Sequence, residues 1–156
     1  MKNLFYIGSL LAATSFLAIG CVKTAEANVG VLAGYQNNNV TGEQGLVLDV
    51  STVTDNNIKL GVNTLTQVDK GRLLTYGVYA GVPVALQNSP VTVTPSLGVD
   101  HYRVEDETVG NVALNFDYKF DTTTYATIQT KYSKEFDSSE YDLDGGSYTF
   151  GITKLF

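Results

Sequence analysis

The stretch Val112-Ala-Leu-Asn-Phe-Asp-Tyr-Lys-Phe120 alternates without a fault. Val112, Leu114, Phe116, Tyr118 and Phe120 fall on one side, and Ala113, Asn115, Asp117 and Lys119 on the other. Successive side chains of a strand point to opposite faces, so this run reads as a β-strand with one apolar and one polar face. The same signal recurs at regular intervals between turn clusters, and helical spacing is absent. It predicts eight strands: Val29 to Tyr35, Gly45 to Val53, Ile58 to Val68, Arg72 to Val82, Val91 to Arg103, Val109 to Phe120, Tyr125 to Lys134 and Ser147 to Phe156. Their apolar faces include Leu46/Leu48/Val50, Leu74/Tyr76/Val78/Ala80/Val82 and Ala126/Ile128/Tyr132. Pro95 stands mid-strand, where the missing N–H forfeits a ladder bond, and predicts a bulge or register slip there.

Alternation does not say which face is inside. A soluble lipocalin-like barrel turns its apolar face inward; a membrane barrel turns it outward. Three features favour the second. The polar face carries Gly30, Gly34, Gly61, Gly77, Gly81, Gly98 and Gly151, which give a narrow lumen room and do nothing for a solvated surface. Its charges cancel, Asp49, Asp100 and Asp117 against Lys59, Lys119 and Lys131, as a buried paired network requires. Along one hairpin Lys59 is placed to reach Asp49, and along another Lys119 and Lys131 to flank Asp117. Aromatics gather near strand ends, Tyr35, Tyr76, Tyr132 and Tyr148 toward one rim and Phe120, Tyr125 and Phe156 toward the other, as interfacial girdles do. The fold expected is therefore all-β: an eight-stranded antiparallel up-and-down transmembrane β-barrel. A mean hydropathy of +0.01 with no long apolar run outside the first residues fits a lipid-facing stripe averaged with a polar lumen.

Residues 1–27 read as a secretory signal peptide: Lys2 is followed by the apolar Leu4 to Val22 and by the cleavage pattern Ala25-Glu26-Ala27. A lipoprotein signal ending at Cys21 is the rival reading. Without Lys2, Lys23 and Glu26, the ten basic and sixteen acidic residues of the chain become eight and fifteen, and cleavage after Ala27 leaves no Cys. Disulfide frameworks and Cys-rich zinc sites are excluded. The acidic balance argues against nucleic-acid binding.

The last strand, Tyr148-Thr-Phe150-Gly-Ile152-Thr-Lys154-Leu-Phe156, resembles the terminal signature of bacterial outer-membrane barrels. With the signal peptide and eight strands, the mature chain resembles the small OmpX-type and OmpA-transmembrane-type barrels. That resemblance implies bacterial outer-membrane localisation and recognition of Tyr148, Phe150, Ile152 and Phe156 by the barrel-assembly machinery. It also implies a monomer with periplasmic termini. Lys154 departs from the pattern, and its stem is long enough to snorkel to the interface. Members of this family include adhesion and serum-resistance proteins, membrane anchors, narrow pores and lipid A-modifying enzymes.

Catalysis would begin at His101, the one histidine. The lipid A deacylases place a Ser two residues after such a His, but here Arg103 occupies that position, so no catalytic residue, cofactor or metal is expected. Arg72, Arg103 and Lys134 lie toward the outer rim, where lipopolysaccharide phosphates sit, and are candidate lipid contacts. Ten of the fifteen acids fall in the outer loops, and Asp142-Leu-Asp144 there lacks the spacing of a calcium loop. The longest outer loop, Glu135 to Gly146, holds Phe136, Tyr141 and Leu143, the candidates for contact with an unknown surface ligand. The function expected is non-enzymatic, with surface loops acting in envelope integrity, adhesion or host-defence resistance. A narrow porin-like channel and a lipid A-modifying enzyme are the alternatives.

Overall fold

The computed structural model describes residues 29–39, 41–42, 44–68, 70–136 and 143–156; the expected signal peptide and Tyr141 lie outside them. Eight long strands form the wall: β1 (Val29–Asn38), β2 (Gln44–Val53), β3 (Lys59–Gln67), β4 (Arg72–Gly81), β6 (Val91–Tyr102), β7 (Glu107–Lys119), β8 (Thr124–Glu135) and β9 (Gly145–Leu155). The two-residue β5 (Val84–Ala85) continues the line of β4 against β6. Each long strand pairs antiparallel with the next, and β1 pairs with β9, so the sheet closes as an up-and-down barrel. Closure leaves no unpaired edge among the described long strands.

The closed register carries a stagger. From Val29 the Cα pairs run through Thr52, Leu60, Ala80, Leu97, Val112, Tyr132 and Gly146. Gly146 then meets Asn39, whose N–H donates to its carbonyl, ten residues beyond the start. A shear of ten over eight strands tilts them by about 41° to the barrel axis, given ordinary strand spacing and rise. Ten residues at that tilt rise about 25 Å, the height of an outer-membrane apolar band.

The apolar face is outside. Leu97, Val112, Phe150 and Ile152 are exposed on the wall, whereas Asp49, Asp100, Asn115, Asp117 and Thr149 are buried within it. The lipocalin-like alternative, apolar inside, is thereby overturned. Tyr125 shares the inward set with Thr127 and is half-buried, not a girdle residue. Glycines sit where the lumen is tightest. A Cβ on Gly61 would overlap the Tyr79 ring, and one on Gly77 would overlap the Asp100 carboxylate.

Two local expectations are corrected. The β6–β7 ladder runs unbroken from Val91↔Tyr118 to Tyr102↔Glu107, with Pro95 opposite Leu114. On its other side Pro95 still accepts from the Val82 N–H at 3.1 Å, so the ring costs a donor without shifting the register. The bulge lies instead between β3 and β4, where Leu65 faces Thr75 but Thr66 faces Leu73. The extra residue, Leu74, turns inward and packs with Val47 and Leu65, off the outer face assigned to it by simple alternation.

Candidate functional site

The lumen is filled by side chains that reach across it. Lys131 of β8 donates from Nζ to Asp100 Oδ2 of β6 at 2.5 Å, with both side chains almost fully enclosed. Lys59 of β3 stands 3.9 Å from Asp117 of β7, three strands away around the ring. The Tyr79 hydroxyl of β4 donates to Asp49 Oδ1 of β2 at 3.0 Å. Thr127 donates to Asp117 at 2.6 Å and shares a 2.7 Å bond with Thr153. Asn38 Nδ2 of β1 donates to the Tyr102 hydroxyl of β6 at 3.2 Å, joining strands on opposite sides of the barrel.

The polar lumen residues were legible as a set, but their partners were not. Lys59 meets Asp117 in place of Asp49, and Lys131 meets Asp100 in place of Asp117. Lys119 belongs to the inward set but stands exposed at the terminal end of the barrel, outside the network. Tyr79, a phenol between Gly77 and Gly81 on the inward face, joins the network without a charge, so the charge balance of that face gives no sign of it.

Toward the loop end the lumen also carries two apolar clusters. Tyr102, Val109 and Leu143 form one buried cluster, and Val47, Leu65 and Leu74 another. Leu143 is only 3 % exposed, so it caps the lumen and is not available to an outside partner, which corrects its assignment as a contact residue. Local hydrogen bonds hold it there: the Leu143 N–H donates to Glu135 Oε1 at 2.8 Å, and the Glu135 N–H to Asp144 Oδ1 at 2.9 Å. Phe136, by contrast, is 70 % exposed.

At the loop-end rim, Arg72 opens β4 and Arg103 directly follows β6, and the Arg103 N–H donates to the Leu74 carbonyl of β4 at 2.9 Å. Lys134 stands two strands further round, so the three exposed cations line an arc and do not form one cluster. His101 faces outward, with its ring 5.0 Å from that of Tyr76. Its Nδ1 lies 3.0 Å from Thr108 Oγ1 and its Nε2 3.5 Å from the solvent-exposed Asp106. Those contacts fasten the β6–β7 turn, where Asp106 takes a positive φ of 58°.

Along the last strand Tyr148, Phe150, Ile152 and Phe156 all face outward, from Tyr148 in the loop-end half to Phe156 at the opposite end. Lys154 lies on the same face and donates to the Thr123 and Thr124 hydroxyls at 2.7 and 3.1 Å, binding the last strand to the β7–β8 turn. In that turn the Thr123 N–H donates to Asp121 Oδ1 at 2.8 Å and holds its carboxyl below the usual carboxylate range.

No family model and no curated protein matches this sequence. Solved structures do. The Yersinia pestis outer-membrane protein Ail in a phospholipid bilayer nanodisc is 16 % identical, with a TM-score of 0.56, over 84 % of this chain and 100 % of that one. Ail from the same organism, crystallised with the heparin analogue sucrose octasulfate, is 14 % identical, with a TM-score of 0.55, over 84 % and 99 %. A de novo designed transmembrane β-barrel is 10 % identical, with a TM-score of 0.65, over 86 % and 100 %. The fold is that of the small eight-stranded transmembrane barrels.

Proposed function

We propose, from the premise of a small transmembrane barrel, that this chain is a bacterial outer-membrane protein that works through its outer rim and loops. It acts in envelope integrity, adhesion or resistance to host defences, and neither as a pore nor as an enzyme. One observation carries the reading: an apolar wall surrounds a polar lumen that is cross-bonded and capped. Only a closed barrel or a helix satisfies every backbone group in lipid, and this wall meets that demand with apolar side chains turned outward. The Lys131–Asp100 pair and the Tyr102, Val109, Leu143 cap occupy the space an aqueous channel would need. That argues against the porin-like alternative.

The loop end is read as the cell-surface end, with the termini in the periplasm. Arg72, Arg103 and Lys134 then meet the phosphates of lipopolysaccharide, Arg by bidentate hydrogen bonds. Ail has been crystallised with the polyanion sucrose octasulfate, which supports reading exposed cations on this fold as anion contacts. Tyr148, Phe150, Ile152 and Phe156 present the outward pattern that the barrel-assembly machinery would take up during insertion.

Fractionation and heat-modifiable gel migration test the placement: a band in the outer-membrane fraction that shifts on boiling is expected, and a soluble periplasmic protein would end the reading. A deletion strain is expected to lose detergent or serum tolerance or surface attachment. Restoration by wild type but not by the Arg72→Ala/Arg103→Ala/Lys134→Gln variant would link that role to the rim.

A further inference from the structure

On the outward face, near the loop end, β7, β8 and β9 present two paired rows. Val112, Tyr132 and Gly146 make the row nearer the loops; Leu114, Thr130 and Tyr148 make the next. Four of these side chains are large and two are small. Thr130 and Gly146 therefore floor a depression of about 350 Å³ in the wall. That volume is within the range of about 300–1,000 Å³ typical of small-ligand sites. A Cβ built on Gly146 meets nothing but the Lys131 carbonyl at 3.9 Å, so the floor there is open space. Tyr132 and Tyr148 are 50 % and 47 % exposed, each offering an apolar ring and a hydroxyl at the rim.

Directly above the depression the chemistry changes. Lys134 lies on the same face of β8, two residues beyond Tyr132, and is exposed. Among the described residues no acidic side chain pairs with it. Its neighbour across the ladder is Gly110, over which the Phe136 ring lies, 3.0 Å from where a Cβ would stand. An apolar groove thus ends, toward the loops, in an aromatic lip and one cation. That sequence of surfaces matches the end of a lipid: acyl chain below, phosphate above.

We propose that this groove seats one acyl chain of a lipid A molecule whose phosphate is met by Lys134. The inference rests on the reading of the loop end as the cell-surface end, because that places the groove in the leaflet where lipid A resides. It adds a defined position on the wall to what would otherwise be a diffuse contact of rim cations. The groove is continuous with the lipid-facing apolar band, so the occupant needs no route through protein. Val112 and Leu114 supply chain contacts, the small Thr130 and Gly146 let the chain approach the backbone, and Lys134 fixes its height.

The test is native mass spectrometry of the purified full barrel, stripped of lipid in detergent and titrated with lipid A. Gly146→Leu fills the floor from β9, where its Cβ meets only the Lys131 carbonyl at 3.9 Å, and Thr130→Leu fills it from β8. Each variant is first shown to keep the heat-modifiable band, and one that folds suffices. Retention of lipid A is expected to fall about tenfold in the filled-groove variants, the loss of roughly two buried methylenes. A similar fall is expected in Lys134→Gln. Unchanged retention in a folded filled-groove variant would overturn the groove, and loss in Arg103→Ala beside it would leave the surface-rim reading standing. Failure of wild type to retain lipid A at all would overturn both.

Discussion

Replacing Lys131 with Met leaves the Asp100 carboxylate buried without its partner. Asp100 is wholly enclosed, its Oδ2 takes the Lys131 ammonium, and its Oδ1 faces the floor made by Gly77 with no hydrogen-bond donor. Removing one partner of such a pair costs about 3–5 kcal/mol, because the remaining charge has neither water nor a counter-ion. That is about two to more than three powers of ten in the folding equilibrium. Neutralising the survivor tests the cause. Asp100→Asn keeps the shape and removes the charge, so the double variant is expected to recover roughly 2 kcal/mol of the loss, keeping the smaller penalty of an unsatisfied amide. The chain has no Trp, so folded fraction in lipid vesicles is read from the heat-modifiable gel band across a urea titration. A Lys131→Met variant within about 1 kcal/mol of wild type would refute the argument. So would a double variant whose loss is the plain sum of the two singles.

Gly61→Ala pushes into the Tyr79 ring and pulls its hydroxyl from Asp49; a loss of about 1–3 kcal/mol is expected in the same titration, with Gly146→Ala as the neutral control. Val109→Ala opens a cavity under Leu143 and Tyr102 and is expected to cost about 2–4 kcal/mol by the same urea midpoint. Planar-bilayer recordings of wild type are expected to show no stable, large conductance, and a steady open level would count against a filled lumen. Asp121→Asn removes a carboxyl whose folded pKa lies below its unfolded one. Stability from that group is present above the ordinary carboxylate range and is lost as pH falls through the folded value. The gap between wild type and variant is therefore expected at neutral pH and should close on acidification.

What could be seen in the sequence was whatever repeats every second residue. The eight strands, the outward apolar stripe and the glycine-rich inward face are all local consequences of alternation, and strand ends differ by a few residues. The pairing of Lys59 with Asp117 is not local. It depends on tilt and on a shear that appears only when the ring closes, so neighbouring hairpins suggested Asp49 instead. The bulge that turns Leu74 inward breaks the period at a residue whose apolar character fits either face. Pro95 carried a strong signal for irregularity, yet one missing donor did not outweigh twelve paired positions between β6 and β7. Leu143 looked like a surface residue because acids surround it, and two backbone hydrogen bonds to acidic side chains fold it back over the lumen.

The bond from Asn38 to Tyr102 spans the barrel between opposite walls, and the Lys59–Asp117 approach crosses it along another chord. Such chords act as struts: Asn38–Tyr102 braces the loop end and Lys59–Asp117 the terminal end, so at each level the wall resists flattening along its own line under lateral pressure from the surrounding bilayer. A stiff ring transmits little of that pressure to its mouth. The loops at the rim are then free to vary in sequence and shape on a frame whose roundness does not depend on them.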